Sequence, residues 1–438
     1  MSSIAVVVLD TLRKDYFDEY FDWVPGRSFE AAYSTANWTG PAHASLFTGK
    51  YGSAVDVSSK ATALECDRPV LAEILSEAGY TTKGWSANPN ASQTQNFDRG
   101  FEEFTGPGEL RSGDLNILDT SEFAAEHDEL SRPRKYTRAL NEIITGEYDT
   151  LPSLWYGLKK INGSRWRPIP DDGASVVEDR TADMSVDSDE FLFVNLVEAH
   201  TPYYPPEAYR DFDEPVGMGF GDAYVGVDDP ELVREAYDNA ARYLGDIYRD
   251  IFDNLSAKFD YVITLSDHGE LLGEHHNMWN HVSGVYPELT HIPLVISGDG
   301  FEGETDTVVS ILDLYETILE LADVDGPVSD GHSIVSPTTD HAPYLAEYRG
   351  PFNHSLEQSK KYDFDLEPYD SDLFALIEPD YYGYEDYDGW KEIGEPRRDE
   401  PRSFLRERIT EYGMDSTEHK SVELTDSAES RLEELGYI

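Results

Sequence analysis

Thr39 stands at the start of a segment whose composition suits a helix, and its hydroxyl is a candidate nucleophile. In Ser34-Thr35-Ala36-Asn37-Trp38-Thr39-Gly40-Pro41-Ala42-His43-Ala44-Ser45-Leu46-Phe47-Thr48-Gly49, Pro41 fits a first helical turn, Ala42 to Phe47 propagate it, and Gly49 ends it. A helix N-terminus presents backbone N–H groups and the positive end of a dipole, which favour an alkoxide and the anionic group it attacks. Two partners for such a hydroxyl occur elsewhere in the chain: Asp10, directly after the apolar run Ile4 to Leu9, and Asp267-His268, directly after Tyr261 to Leu265. Two carboxylates and an imidazole are competent ligands for a divalent cation. A cation held by Asp10, Asp267, His268 and Thr39 would lower the hydroxyl's pKa and polarise an ester oxygen under attack. Taken singly, each residue has an ordinary reading as a cap, a surface side chain or a loop; their joint placement carries the case.

The histidines are concentrated as well. Of the 12 in the chain, His268, His275, His276, His281 and His291 fall in one stretch, and His200 precedes Thr201-Pro202-Tyr203. Histidines that donate hydrogen bonds or carry charge suit an anionic substrate. His275 and His276 are neighbours, so at most one faces a shared site, and His291, just before an apolar run, reads as structural.

These residues need a scaffold that brings them together. Ile4-Ala5-Val6-Val7-Val8-Leu9 is a strand buried on both faces, as are Phe191 to Val197 and Tyr261 to Leu265. Tyr80 to Trp85 and Ile292 to Ser297 read as further strands. Pro69 to Gly79, Pro230 to Leu255 and Ser310 to Ala322 carry helical spacing. Alternating strands and helices predict an α/β fold with a doubly wound, mostly parallel sheet, in which ligands bind beyond the carboxyl ends of the strands. Asp10, Asn88, His200, Asp267 and His268 all sit at or just past such ends. Residues 1–335 form the predicted catalytic domain. They include an irregular, charged insertion over about 106–189, helical in Tyr136 to Ile144, which reads as a lid or specificity region. Residues 336–438 form a smaller C-terminal α+β subdomain, with a helix over Arg397 to Glu411.

Composition narrows the function. The 438 residues carry 87 Asp and Glu against 34 Lys and Arg, a formal charge of −53. Such a surface repels nucleic acid and anionic membranes. Aromatic residues at 12% and hydrophobic ones at 39% argue for a folded chain with a solvated acidic skin, the signature of a halophile whose self-repulsion is screened by salt. The single cysteine, Cys66, excludes an intrachain disulfide and a cysteine-based zinc site. The N-terminus lacks the pattern of a signal peptide and no stretch is long enough to cross a bilayer, so a soluble cytoplasmic protein of a halophilic archaeon is expected.

With these residues in view, the chain resembles the sulfatase family of the alkaline phosphatase superfamily. Val8-Leu9-Asp10-Thr11-Leu12-Arg13 resembles its first metal-binding strand end. Thr39-Gly40-Pro41-Ala42-His43 with Leu46-Phe47-Thr48-Gly49 resembles its Cys/Ser-x-Pro-Ser-Arg signature and tail. Asn96 to Phe104 resembles its Gly-Phe-Asp stretch, and His200-Thr201-Pro202-Tyr203 its His-x-Pro motif. Ser266-Asp267-His268-Gly269-Glu270 with Gly273-Glu274-His275 resembles its second metal segment, and Arg431 to Tyr437 its ending. The resemblance implies an alkaline-phosphatase-like α/β/α sandwich with a smaller C-terminal subdomain and a divalent metal: calcium, manganese or zinc. An imidazole among the ligands shifts preference away from calcium.

The departures matter. Sulfatases proper convert the signature Cys or Ser to formylglycine; Thr39 cannot give that aldehyde, so no formylglycine is expected. His43 takes the place of the signature Arg, with less bidentate reach, and is expected to hold the nucleophile or the anion. One of the paired first-strand Asp residues is replaced by Thr11. By resemblance, His200, Asn88 and His275 contact the substrate anion, while His281 stands where the family has a Lys and protonates the leaving oxygen. The expected activity is metal-dependent hydrolysis of an anionic sulfate or phosphate ester, of a small molecule or a glycan, by in-line attack of Thr39. The alternatives are a sulfo- or phosphoalcohol transferase acting on glycans or lipids, and a non-catalytic descendant that binds anionic glycans.

Overall fold

The computed structural model describes residues 2–113, 118, 123, 132–146, 148–150, 153–154, 170–186, 189–219, 221–336, 343–361 and 364–415. Part of the predicted insertion, and the stretch Arg431 to Tyr437, lie outside the described residues. The strands of the main sheet are β1 (Ile4–Leu9), β2 (Arg27–Phe29), β3 (Thr81–Ser86), β4 (Glu103–Thr105), β5 (Glu190–Leu196), β6 (Tyr261–Leu265), β7 (Leu294–Gly298) and β8 (Gly303–Thr305). They run in the order β8-β2-β7-β6-β1-β5-β3-β4. From β6 through β1, β5 and β3 to β4 every pair is parallel. The apolar run at 292–297 also enters this sheet, but as β7 it lies antiparallel to β6, so its carboxyl end points away from that of its neighbours.

The period-two alternation of strands divides each buried strand between two cores. Ile4, Val6 and Val8 of β1 enter a core with α2 (Thr39–Thr48), α3 (Leu71–Glu77) and α8 (Asp313–Ala322). Ala5, Val7 and Leu9 enter the opposite core, with α1 (Lys14–Tyr20), α6 (Ala174–Asp183) and α7 (Pro230–Ser256). The same alternation puts Phe191 and Phe193 of β5, and Ile263 and Leu265 of β6, on the α2 side. Three helices of the predicted insertion are described: α4 (Pro107–Ser112), α5 (Arg132–Thr145) and α6.

Beyond the main sheet, β9 (Tyr344–Arg349), β10 (Asp372–Glu378), β11 (Tyr381–Asp386) and β12 (Gly389–Gly394) form an antiparallel meander, backed by α9 (Pro401–Glu411). Its apolar face shares a core with Tyr51, Leu271, Val285 and Leu289 of the larger layer. Tyr381, Tyr382 and Tyr384 of β11 pack into that core, and carboxylates of β10 and β11 pair with arginines of α9 and the loop before it, as in Arg402–Glu385 and Arg398–Glu378.

Candidate metal and nucleophile site

The period-two rule also explains why the site faces α2. Two residues on from Val8, Phe193 and Leu265 stand Asp10, Asn195 and Asp267. Each continues its strand on the α2 side with a polar side chain where an apolar one would otherwise be. All three are fully buried.

Thr39 is the first residue of α2, after Trp38 in extended conformation, and is fully buried. Its Oγ1 lies 3.4 Å from Nε2 of His268 and accepts a hydrogen bond from Nδ2 of Asn88 at 3.1 Å. The helix ends at Gly49, whose φ of +63° is left-handed and whose N–H caps the Ser45 carbonyl. A β-carbon there would approach Ser329 to 2.5 Å.

Asp10, Asp267 and His268 each offer a ligand atom within 4.8 Å of the others. Asp10 Oδ2 accepts from Asn88 Nδ2 at 2.8 Å and from Asn195 Nδ2 at 3.2 Å. Asp267 Oδ1 accepts from the N–H groups of Thr11 at 3.2 Å and His268 at 3.0 Å. The second oxygens, Asp10 Oδ1 and Asp267 Oδ2, are buried and accept no hydrogen bond. The Nδ1–H of His268 donates to the Gly269 carbonyl at 2.9 Å, which leaves the Nε2 lone pair turned towards Thr39. Burial, and for Asp10 next the charge of Asp267, push these carboxyls up from 3.8 to about 8 for Asp10 and about 7 for Asp267. Two unsatisfied carboxylate oxygens and an oriented imidazole around a hydroxyl fit a divalent cation, whose charge would offset the cost of burying both acids.

Thr11 bends the chain here. It is β-branched yet holds φ +60°, a conformation that costs about 1–3 kcal/mol and gathers at functional sites. The bend aims its N–H at Asp267 and is pinned by the Tyr237 hydroxyl, which donates to the Thr11 carbonyl at 2.8 Å and accepts from Arg13 N–H at 3.0 Å.

The remaining predicted residues divide. His200 and His281 stand with His268 in one imidazole cluster, with ring centroids 5.0 Å apart for His200–His281 and 4.5 Å for His268–His281. Burial holds His200 down to about 4 and His281 well below its usual value. Nδ1 of His281 lies 3.4 Å from Oε2 of buried Glu270, and its carbonyl accepts from Asn37 at 2.7 Å. His43 takes a supporting position. It accepts at Nε2 from Asn195 at 3.2 Å, and its Nδ1–H donates to the Thr39 carbonyl at 2.9 Å. Its ring packs among Phe47, Phe97 and Phe193, and burial holds it neutral, near pKa 3. It braces the backbone of Thr39: of the two expectations, holding the nucleophile or the anion, this contact fits the first. Asn88 was also expected to meet substrate, but its Nδ2 is shared between Asp10 and Thr39 and its Oδ1 accepts from Asn90 N–H. His275 turns elsewhere: it pairs with Glu288 at 2.8 Å and stacks on Tyr286.

Asn195 and Glu270 escaped the reading of the sequence. For Asn195 a signal existed, a lone polar residue inside the apolar strand Phe191-Leu192-Phe193-Val194-Asn195-Leu196.

A largely parallel sheet covered on both faces, with carboxylates at strand ends beside a hydroxyl on a helix N-terminus, defines the alkaline-phosphatase-like α/β class. The solved structures agree. The phosphonate monoester hydrolase of Silicibacter pomeroyi superposes at TM-score 0.64 with 17% identity over 96% of both chains. A 2-O GAG sulfatase superposes at 0.59 with 14% identity over 96% of this chain and 94% of that one. The sulfatase family profile matches residues 19–324: the chain belongs to the sulfatase family. Among curated relatives, arylsulfatase K of Xenopus laevis is 38% identical over 95 residues, 21% of this chain and 17% of that protein. The low-salt glycan biosynthesis sulfotransferase Agl7 of Haloferax volcanii is 32% identical over 148 residues, 31% of this chain and 35% of that protein. The matched stretches therefore span about a third or less of those relatives.

Proposed function

We propose that this protein cleaves or transfers a sulfate or phosphate ester through Thr39. The observation that carries the reading is the pair of orphaned carboxylate oxygens, on Asp10 and Asp267, flanking a buried hydroxyl 3.4 Å from His268. A divalent cation bound by Asp10, Asp267 and His268 would supply Lewis acidity and lower the hydroxyl's pKa. Thr39 Oγ1 attacks the phosphorus or sulfur in line, the bond to the alcohol oxygen breaks, and the alcohol leaves with a proton. In this reading His281 gives that proton once the charge of a bound anion has lifted it from the depressed value it holds without one. The dipole of α2 meets the developing charge. A threonyl ester has no second hydroxyl with which to expel its phosphoryl or sulfuryl group. Water or an acceptor alcohol must therefore attack at phosphorus or sulfur and restore Thr39.

A second reading, transfer to an alcohol acceptor, draws support from the similarity to the Haloferax volcanii sulfotransferase. The test is a panel of aryl sulfates, phosphomonoesters and phosphodiesters at high salt, with calcium, manganese or zinc, with and without a glycan acceptor. Release of the aryl alcohol without acceptor supports hydrolysis, and acceptor-dependent release supports transfer. No turnover under any combination, with the metal bound, would leave the non-catalytic reading.

A further inference from the structure

Arg13 follows Asp10 by three residues, and Glu270 follows Asp267 by three. The two meet. Arg13 Nη1 donates to the Glu270 carbonyl at 3.1 Å and to Glu274 Oε1 at 2.5 Å. On its other side, Nε and Nη2 donate to the two oxygens of Asp15 at 2.9 and 2.8 Å. Four of the five guanidinium N–H groups are thereby used, and the residue is only 8% exposed. An arginine so occupied has little left to offer an anionic substrate. It acts between the two loops instead. Glu274 extends the contact: its Oε2 accepts the Leu272 N–H at 2.6 Å, so the carboxylate that receives Arg13 also braces the chain just past Glu270. The N–H of Arg13 is held by the Tyr237 hydroxyl of α7, which also holds the Thr11 carbonyl. Gly269 permits the close approach: a β-carbon there would lie 2.0 Å from the Glu288 carbonyl oxygen and 3.4 Å from Arg13 Cγ.

We propose, resting on the reading of Asp10, Asp267 and His268 as cation ligands, that Arg13 is a positioning residue of their site. It fixes the loop that carries Asp10 against the loop that carries Asp267 and His268. It thereby sets the spacing of the ligands without touching the cation. Asp10 and Asp267 offer ligand atoms within 4.8 Å of each other, and two carboxylates that close repel until a cation joins them. Loops free to yield would part, and the site would lose its pre-organisation. The bond from Arg13 to the Glu270 main chain resists that parting. Lysine keeps the charge but is a single-point donor on a flexible stem, so it cannot span Asp15 and the second loop together.

The test is calorimetric titration of the metal-depleted full chain with calcium, manganese or zinc chloride, well below the melting temperature of each variant. The unmodified chain should bind one ion, and Asp267→Asn should bind it far more weakly. Against that background, Arg13→Lys should weaken affinity at least ~10-fold. Glu274→Ala, at the surface, should weaken it in the same direction, and it carries the test should Arg13→Lys fail to fold. Ile409→Ala opens an apolar cavity in α9, behind the C-terminal meander. It should lower the melting temperature and leave affinity within ~2-fold. Unchanged affinity in folded Arg13→Lys, or in Glu274→Ala where the lysine variant does not fold, overturns the proposal and leaves the ligand assignment standing. Affinity weakened as much in Ile409→Ala as in Arg13→Lys also overturns it, because binding would then follow general stability. No ion bound by the unmodified chain overturns the ligand assignment, and the proposal with it.

Discussion

Asn88 Nδ2 bridges the candidate nucleophile and the candidate metal site: it stands 3.1 Å from Oγ1 of Thr39, with its other contact to Asp10. One amide thereby fixes the start of α2 relative to the end of β1. Held by that donor, the Thr39 hydroxyl directs its own proton to the side where His268 and the Asp267 carboxylate lie. The arrangement is set before substrate arrives, which is where electrostatic catalysis gains most.

Thr39→Ala removes the attacking oxygen while leaving the helix intact, so activity in the ester panel should fall by about 10³-fold or more. Thr39→Ser keeps the oxygen and should retain activity within ~10-fold. Trapping adds a direct readout: acid quench followed by mass spectrometry should find a phosphoryl or sulfuryl adduct on the peptide containing Thr39. Alanine activity near that of the unmodified protein removes Thr39 from the chemistry.

The convergence of Asp10, Asp267 and His268 was legible because strands buried on both faces end abruptly in acids: Ile4 to Leu9 stops at Asp10, and Tyr261 to Leu265 stops before Asp267. Helix α2 was legible from Pro41 and Gly49. The hydrogen-bond partners of His43 and Asn88 on neighbouring strand ends were not, because those residues are distant in sequence. Only the fold shows that Asn195 and Asp10 occupy their polar atoms. The antiparallel placement of β7 was hidden too, since an apolar run has no direction. The bend at Thr11 could not be read, since a β-branched residue is a poor candidate for positive φ.

Asp267→Asn keeps the shape of the side chain and removes its charge. Divalent cation affinity, measured by calorimetry on the metal-depleted protein, should fall by at least the ~10–100-fold that losing even an outer-shell partner costs. Turnover should fall with it. Unchanged metal stoichiometry and affinity in this variant would place the cation elsewhere.

The raised carboxyls at this site set a pH dependence with two signs. A cation must displace the protons of Asp10 and Asp267, so affinity should strengthen as pH rises through about 7 and about 8. Stability of the metal-free chain should move the other way. An acid whose folded pKa lies above its unfolded value binds its proton more tightly when folded; its contribution is complete below about pH 4 and is lost as pH rises through the folded values. Melting temperature with chelator should therefore decline from about pH 5 to about pH 8.5, and saturating cation should flatten the decline. A metal-free melting curve indifferent to pH across that window contradicts the assignment.

Asn195 holds the site from inside β5. Asn195→Leu removes a donor to Asp10 Oδ2 and the donor to His43 Nε2. Each polar atom left buried without a partner costs about 1–3 kcal/mol. The variant should lose stability on that scale in chemical denaturation and bind metal ~10–100-fold more weakly. Asn195→Asp separates the two effects. It places a third acid beside Asp10 and Asp267, so its metal-free form should be less stable at neutral pH than at pH ~5, and added cation should recover part of the loss. If the leucine variant keeps full metal affinity, Asn195 is packing alone.

A formal charge of −53 on a folded chain of this size is a standing repulsion that only salt or bound cations relieve. At about 0.1 M salt the Debye length is ~10 Å, so neighbouring surface carboxylates feel one another; at about 1 M it is ~3 Å and they largely do not. Thermal melts followed by circular dichroism should therefore shift upward by many degrees between those conditions, with potassium chloride sufficient to produce the shift. Cation binding at Asp10, Asp267 and His268 is local, so a stoichiometric divalent ion should add its stabilisation at either salt concentration. D267N should lose that increment while keeping the salt response. A melting temperature that ignores potassium chloride over this range would show that the acidic skin is already balanced within the fold, and would remove the halophile reading.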